Sequence, residues 1–204
     1  MNLNEMVEKQ RELDERIVQE KGLEGEDLLP KRILALQVEL GELANEWRGF
    51  KMWSNDREPR IWGPNPKNVC EVCDGQGYTN PHLPFIERTF CGNCDGCGVH
   101  FNNLLLEEYV DCLHFILSIG IEIGANNYNY TSVNVIPDTT RAFNFLFEQA
   151  SKLNKAKNDK AIYYLMLHSF IDFGLKNLDF TWSQVEQAYM EKNMTNHERQ
   201  EAGY

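Results

Sequence analysis

Apolar positions recur every three or four residues over six stretches of the chain, a period that predicts helices rather than strands. The first stretch runs from about Asn4 to Gln19, with Met6, Leu13 and Ile17 or Val18 facing inward and Gly22 and Gly25 just past its end. The second covers about Leu28 to Phe50 and carries Pro30 in its first turn, where a missing N–H costs little. Its apolar stripe is Ile33, Leu36, Leu40, Leu43 and Trp47, with Glu39, Glu42 and Glu46 along the edge. The third, about Asn103 to Gly124, is apolar almost all round. Stepping about 100° per residue through LLLEEYVDCLHFILSIGI leaves one narrow polar strip of Glu107, Asp111, His114 and Ser118, with Glu108 at its margin. A helix of that kind is largely buried. Helices at about Thr139 to Ala156, Asp159 to Asn177 and Thr181 to Met194 follow, and Thr181 with Gln184 fits a capping box. No stretch alternates convincingly as a strand, so the predicted fold class is an all-α bundle.

The chemistry enters with the acids. Glu39 and Glu42 form an ExxE pair and Glu108 and Asp111 an ExxD pair, and positions three apart share one helix face. A lone ExxE in a soluble helix is usually a solvated pair. The second pair lies on a helix with hardly any polar surface, where an ionised carboxylate destabilises the fold unless a cation compensates it. Four facing carboxylates suit hard divalent cations such as Mg²⁺. His114 reads as a packed helix histidine.

One segment breaks the helical pattern. Residues 54–101 hold five of the seven prolines, six of the fourteen glycines and five of the six cysteines, which marks an insertion between the two acidic helices. Its cysteines repeat as Cys70-Glu-Val-Cys73-Asp-Gly-Gln-Gly77 and Cys91-Gly-Asn-Cys94-Asp-Gly-Cys97-Gly98, both CxxCDGxG. A CxxC followed by Gly is a knuckle that aims two thiolates at one ion, and two knuckles make a tetrahedral site for Zn²⁺. Cys97 falls where Gln76 stands in the first copy, so the expected ligands are Cys70, Cys73, Cys91 and Cys94. The repeat resembles the cysteine-rich zinc region of J-domain chaperones, but only locally. Cys112 is expected in the core, and His82 and His100 are the alternative ligands.

At 204 residues the chain suits one domain with a small insertion, divided here as 1–53 and 102–204 for the bundle and 54–101 for the insertion. The net charge of −11 and the lack of any basic run argue against nucleic-acid and anionic-membrane partners. The first residues lack the basic and apolar segments of a signal peptide, so a cytoplasmic location is expected.

Several blocks together carry a likeness to a known family: Gln10 with Leu13-Asp14, the run LALQVELGELANEWRGFKMWS, EEYVDCLHFILSIG, and YMEKNMTNHERQEAGY. In that order they resemble the all-α dimeric dUTPases, within the MazG-like nucleotide pyrophosphatase superfamily. The resemblance implies hydrolysis of dUTP to dUMP and pyrophosphate, with Glu39, Glu42, Glu108 and Asp111 holding Mg²⁺ and Glu42 also orienting the attacking water. It implies Lys192, Asn196 and Arg199, completed by Gln200, Gly203 and Tyr204, as a phosphate-binding block that closes over the triphosphate. It places Gln10 and Asp14 near the uracil edge, with Trp53 as a stacking partner, and it implies a homodimer. The cysteine insertion departs from the family pattern, so its contribution does not carry over. Two other readings compete: a related pyrophosphatase acting on dCTP or on many nucleotides, and a zinc-knuckle protein-binding module with structural acids.

Overall fold

A computed structural model describes residues 3–133, 135–156 and 159–203, with 65–68 and 101 described through their backbone alone. Among the described residues there are six α-helices: α1 (Leu3–Lys21), α2 (Leu29–Trp47), α3 (Leu104–Glu122), α4 (Thr139–Lys155), α5 (Lys160–Lys176) and α6 (Trp182–Glu201). The periodicity located each of them. Short polar side chains start four of them by accepting hydrogen bonds from backbone N–H groups otherwise left without partners. These are Asn103 for α3, Asp138 for α4, Asp159 for α5 and Thr181 for α6, the last with the full reciprocal box from Gln184.

Helix α3 runs through the middle, packed against α1, α2, α5 and α6, while α4 lies on α2 and α5. Leu105, Cys112, Leu113, Ile116, Leu117 and Ile119 of α3 are all buried, as an apolar circumference requires. Leu36, Leu40 and Leu43 meet them from α2, and Phe170 stacks on Tyr109 with centroids 4.4 Å apart. That stacking needs Gly174, where a Cβ would collide with the Tyr109 ring.

Two boundaries differ from the sequence expectation. Helix α2 stops at Trp47 because Arg48 turns left-handed (φ 64°). The buried Arg48 guanidinium fixes that turn by donating to the Asp56 carbonyl at 3.0 Å and its carboxylate at 2.7 Å. Helix α6 continues to Glu201, seven residues past the expected end, supported by Arg16 of α1, which reaches the His197 carbonyl and the Glu201 carboxylate at 3.4 Å.

The insertion contains a short ribbon that the pattern did not show: β1 (Gly63–Val69) pairs antiparallel with β2 (Val99–Asn102). Its prolines and polar residues carry no period-two signal, and an irregularity between Pro64 and Val69 interrupts the register. The ribbon is anchored where it meets the bundle. The Arg60 carbonyl accepts from Leu105 N at 3.1 Å, its N–H donates to the Glu46 carbonyl at 3.0 Å, and its guanidinium lies 3.1 Å from the Glu46 carboxylate. Strand β2 runs directly into the Asn103 cap of α3.

Candidate active site and metal centre

The acids converge across the α2–α3 contact. One carboxylate oxygen each from Glu39, Glu108 and Asp111 lies within 4.8 Å of the others. Glu108 is buried, Glu39 and Asp111 are half-buried, and Glu42 is exposed and outside this group. A hard cation with oxygen ligands at about 2.0–2.1 Å spaces those oxygens by roughly 3–4 Å, so small side-chain rotations bring all three onto one ion. Cys112 lies among them. Burial first, and then the Glu39, Asp111 and Glu108 carboxylates, push its thiol well above the ordinary range. It stays a neutral core residue, as its position on α3 suggested.

Helix α6 brings a cation to this group. Lys192 Nζ lies 2.6 Å from Asp111 Oδ2 and 3.3 Å from Glu107 Oε1. Lys192, Asn196 and Arg199 follow one another at i, i+4 and i+7, a spacing that puts them on one face of a continuous helix. The block is therefore presented from a packed helix rather than from a loose tail. Arg199 Nη1 reaches Asn196 Oδ1 at 3.5 Å. Tyr204 lies outside the described residues.

Beside the acids opens a cavity of about 700 Å³. Its walls include Glu107 and Val110 of α3, Lys192 and Arg199 of α6, and Trp62 and Glu71 of the insertion. Lys192 thus belongs to both the cavity and the acidic group.

Gln10 and Asp14 of α1 meet the later turns of α3 in a chain of buried and half-buried hydrogen bonds. Gln10 Nε2 donates to Asp14 Oδ1 at 2.8 Å and to Ser118 Oγ at 3.0 Å. Gln10 Oε1 accepts from Tyr189 Oη at 2.8 Å and lies 2.6 Å from His114 Nδ1. Because the Asp14 carboxylate can only accept, the amide nitrogen must face it, and the oxygen facing His114 then requires the proton on Nδ1. Burial and the Lys192 charge hold His114 neutral, with its pKa lowered to about 3. Its ring stacks on Tyr189 with centroids 4.0 Å apart. Arg32 of α2 closes the chain, 3.4 Å from Asp14 and 2.9 Å from Glu122. Ser118 and His114 were visible in the polar strip of α3, but nothing in the sequence pointed to Tyr189 or Arg32 as their partners. Trp53 stands away from this network, 72% exposed and set edge-on to Phe50 at 5.8 Å.

A second group forms in the insertion. The Sγ atoms of Cys70, Cys73, Cys91 and Cys94 all lie within 4.8 Å of one another, with Cys70–Cys91 at 3.9 Å and Cys73–Cys94 at 3.8 Å. Four thiolates around an ion at a bond length of about 2.3 Å sit roughly 3.8 Å apart, whereas a disulfide needs about 2.05 Å. The cluster could hold zinc. All six cysteines are free thiols, and Cys97 is exposed outside the group. The two knuckles are near copies in space: Gly77 N donates to Cys73 Sγ at 3.3 Å and Gly98 N to Cys94 Sγ at 3.2 Å. The Asn93 amide 3.4 Å from Cys70 draws that thiol down to about 6. The repeated glycines follow from the packing, because a Cβ on Gly77 would strike the Gly96 carbonyl and one on Gly98 the Gly75 carbonyl.

A family model described as dUTPase matches residues 2–73 and 100–204. The chain belongs to the dUTPase family. The match covers all six helices and passes over 74–99, so the second cysteine knuckle lies outside what the family shares. Membership supports dUTP diphosphatase-type activity and a nucleotide substrate in general. A comparison with curated proteins finds no match. Among the described residues, no helix is long and apolar enough to cross a membrane.

Proposed function

We propose that this dUTPase-family chain hydrolyses dUTP with water to dUMP and pyrophosphate, as a bundle of residues 1–53 and 102–204 carrying an inserted zinc knuckle at 54–101. The observation that carries the reading is the convergence of Glu39, Glu108 and Asp111 from two helices beside Lys192 and a cavity of about 700 Å³, a volume suited to a nucleotide. Glu39, Glu108 and Asp111 would hold Mg²⁺, and Glu42 joins them from the solvent side. Bound there, Mg²⁺ would neutralise phosphate charge and make a coordinated water a better nucleophile near neutral pH.

The chain's own groups supply the rest. Glu42, exposed one turn beyond Glu39, accepts a hydrogen bond from the attacking water and orients it. Lys192 and Arg199, with Asn196 between them, neutralise the phosphates from one face of α6. Gln10 and Asp14 read the uracil edge, for which the buried and fully hydrogen-bonded Gln10 amide must exchange one of its present partners, and Trp53 offers an exposed ring for stacking. Zn²⁺ on Cys70, Cys73, Cys91 and Cys94 orders the insertion. A homodimer in the cytoplasm completes the proposal.

Turnover of dUTP, dTTP, dCTP and UTP by the purified protein with Mg²⁺ tests it. A tight pocket rejects the thymine methyl by shape and the ribose hydroxyl for want of room or a partner, each worth about 2 kcal/mol or more. The expected order is dUTP well ahead of the others, with dUMP and pyrophosphate as products. Equal turnover of all four would replace this reading with a broad-specificity pyrophosphatase.

A further inference from the structure

We propose that the cysteine insertion is itself part of the nucleotide site, and that zinc on its four thiolates sets the affinity for nucleotide through Trp62 and Glu71. This rests on the nucleotide-hydrolase reading above.

The placement of these two residues carries the inference. Both line the same cavity as Lys192 and Arg199, facing α6 from the insertion side. Glu71 follows the cluster residue Cys70 directly in the chain, so the metal and the cavity wall are one peptide apart. Trp62 immediately precedes strand β1, at the end of the ribbon opposite Cys70. The residue is 70% exposed, so it adds little to any core. The base of the ribbon is bonded to both acidic helices, through Glu46 of α2 and Leu105 of α3. The far end is held by the knuckles, where Cys70 N donates to the Gly98 carbonyl at 2.9 Å and Cys91 N to the Gly77 carbonyl at 2.8 Å.

Beyond its anchored base, the insertion is held by the knuckles and by a small surface cluster in which Tyr78 stacks on Phe90 at 5.2 Å under the Arg88 guanidinium. Its buried core cluster consists of the four cysteines, and Phe85, Ile86 and Phe90 are exposed. A segment of this kind is ordered by metal rather than by burial. Zinc loss therefore frays the ribbon and removes one wall of the cavity, while the helices keep their separate core. The wall then acts on binding more than on the chemical step, because the acidic group lies outside it.

The two wall residues should act in opposite directions. An indole face excludes water from the bound triphosphate and contacts its flank, so its loss weakens binding. A carboxylate facing a chamber that receives an anion repels it, so neutralising Glu71 tightens binding.

The test measures binding of non-hydrolysable α,β-imido-dUTP by calorimetry at saturating Mg²⁺, together with KM, kcat and circular dichroism. It uses the full-length protein and the variants Trp62→Ala, Trp62→Phe, Glu71→Gln, the pair Cys70→Ser/Cys91→Ser, and Cys97→Ser as control. Trp62→Ala and the cysteine pair should raise Kd and KM about tenfold, equivalent to about 1.4 kcal/mol, with kcat within about twofold. Trp62→Phe should recover most of the loss, Glu71→Gln should lower Kd severalfold, and Cys97→Ser should match wild type. Unchanged Kd in Trp62→Ala and Glu71→Gln, in a wild type that hydrolyses dUTP, would overturn the inference and leave the proposed function standing. A wild type that hydrolyses no nucleotide would remove the proposed function, and the calorimetric Kd values would still decide whether Trp62 and Glu71 line a nucleotide chamber. If the cysteine pair loses its helical signal, zinc supports the bundle as well, the zinc part of the inference fails, and the two exposed wall positions decide the remainder.

Discussion

Lys192 Nζ lies 2.6 Å from Asp111 Oδ2, so the cation proposed for the phosphates touches a carboxylate proposed for the metal. Helix α6 and helix α3 are joined at the point where the two halves of the chemistry meet. A lysine in that position competes with a divalent ion for Asp111 and assists the anion that arrives with the ion. Lys192→Met keeps the stem and removes the charge. It should raise KM for the nucleotide severalfold while lowering the Mg²⁺ concentration for half-maximal activity, read from paired titrations. Movement of both constants in the same direction would argue against this double role.

The three converging acids should differ from the fourth. Glu39→Gln, Glu108→Gln and Asp111→Asn each remove a ligand charge with little change in volume, and activity should fall by orders of magnitude while cooperative melting persists. Asp111→Asn leaves Lys192 with Glu107 at 3.3 Å, so no cation is stranded. Glu42→Gln should lower kcat and shift the Mg²⁺ titration less than the other three, because Glu42 stands outside the converging group. Wild-type turnover by Glu108→Gln or Asp111→Asn would sink the metal assignment.

The buried His114 makes stability depend on pH. The folded state holds the ring neutral until about 3, whereas the unfolded chain takes a proton near the ordinary value of 6.5. The stabilisation is therefore complete above about 6.5 and is lost as the pH falls from there towards 3. The slope for one proton is about 1.4 kcal/mol per pH unit. His114→Gln can keep a bond to the Gln10 side chain without titrating, so its melting temperature should fall less steeply between pH 6.5 and 4.5. Parallel curves for the two proteins would show that the ring is protonated in the folded state.

Metal analysis should find one zinc per chain. Cys70→Ser should lose it and Cys97→Ser should keep it, since only the first belongs to the four-sulfur group. Gly77→Ala should also weaken zinc binding, because its Cβ meets the Gly96 carbonyl and pushes the two knuckles apart. Retention of zinc by Cys70→Ser with loss from Cys97→Ser would mean that the repeat is misaligned.

The sequence by itself determined the six helices, because apolar spacing and short polar caps are local properties that tertiary packing here does not override. It also determined which four sulfurs cluster, since the CDGxG repeat encodes its own turn geometry and leaves Cys97 over. The burial of α3 followed from its circumference, and the shared face of Lys192, Asn196 and Arg199 from their spacing. The tertiary structure decided which residues from different elements meet. Glu39 rather than Glu42 joins Glu108 and Asp111, because that depends on the relative rotation of α2 and α3, which no single helix records. Tyr189 reaches Gln10 across 179 positions of chain, and Trp62 and Glu71 reach the cavity of α3 and α6 through a ribbon without periodic signal. Contacts of that kind depend on how elements pack, and packing depends on the shapes of both partners at once.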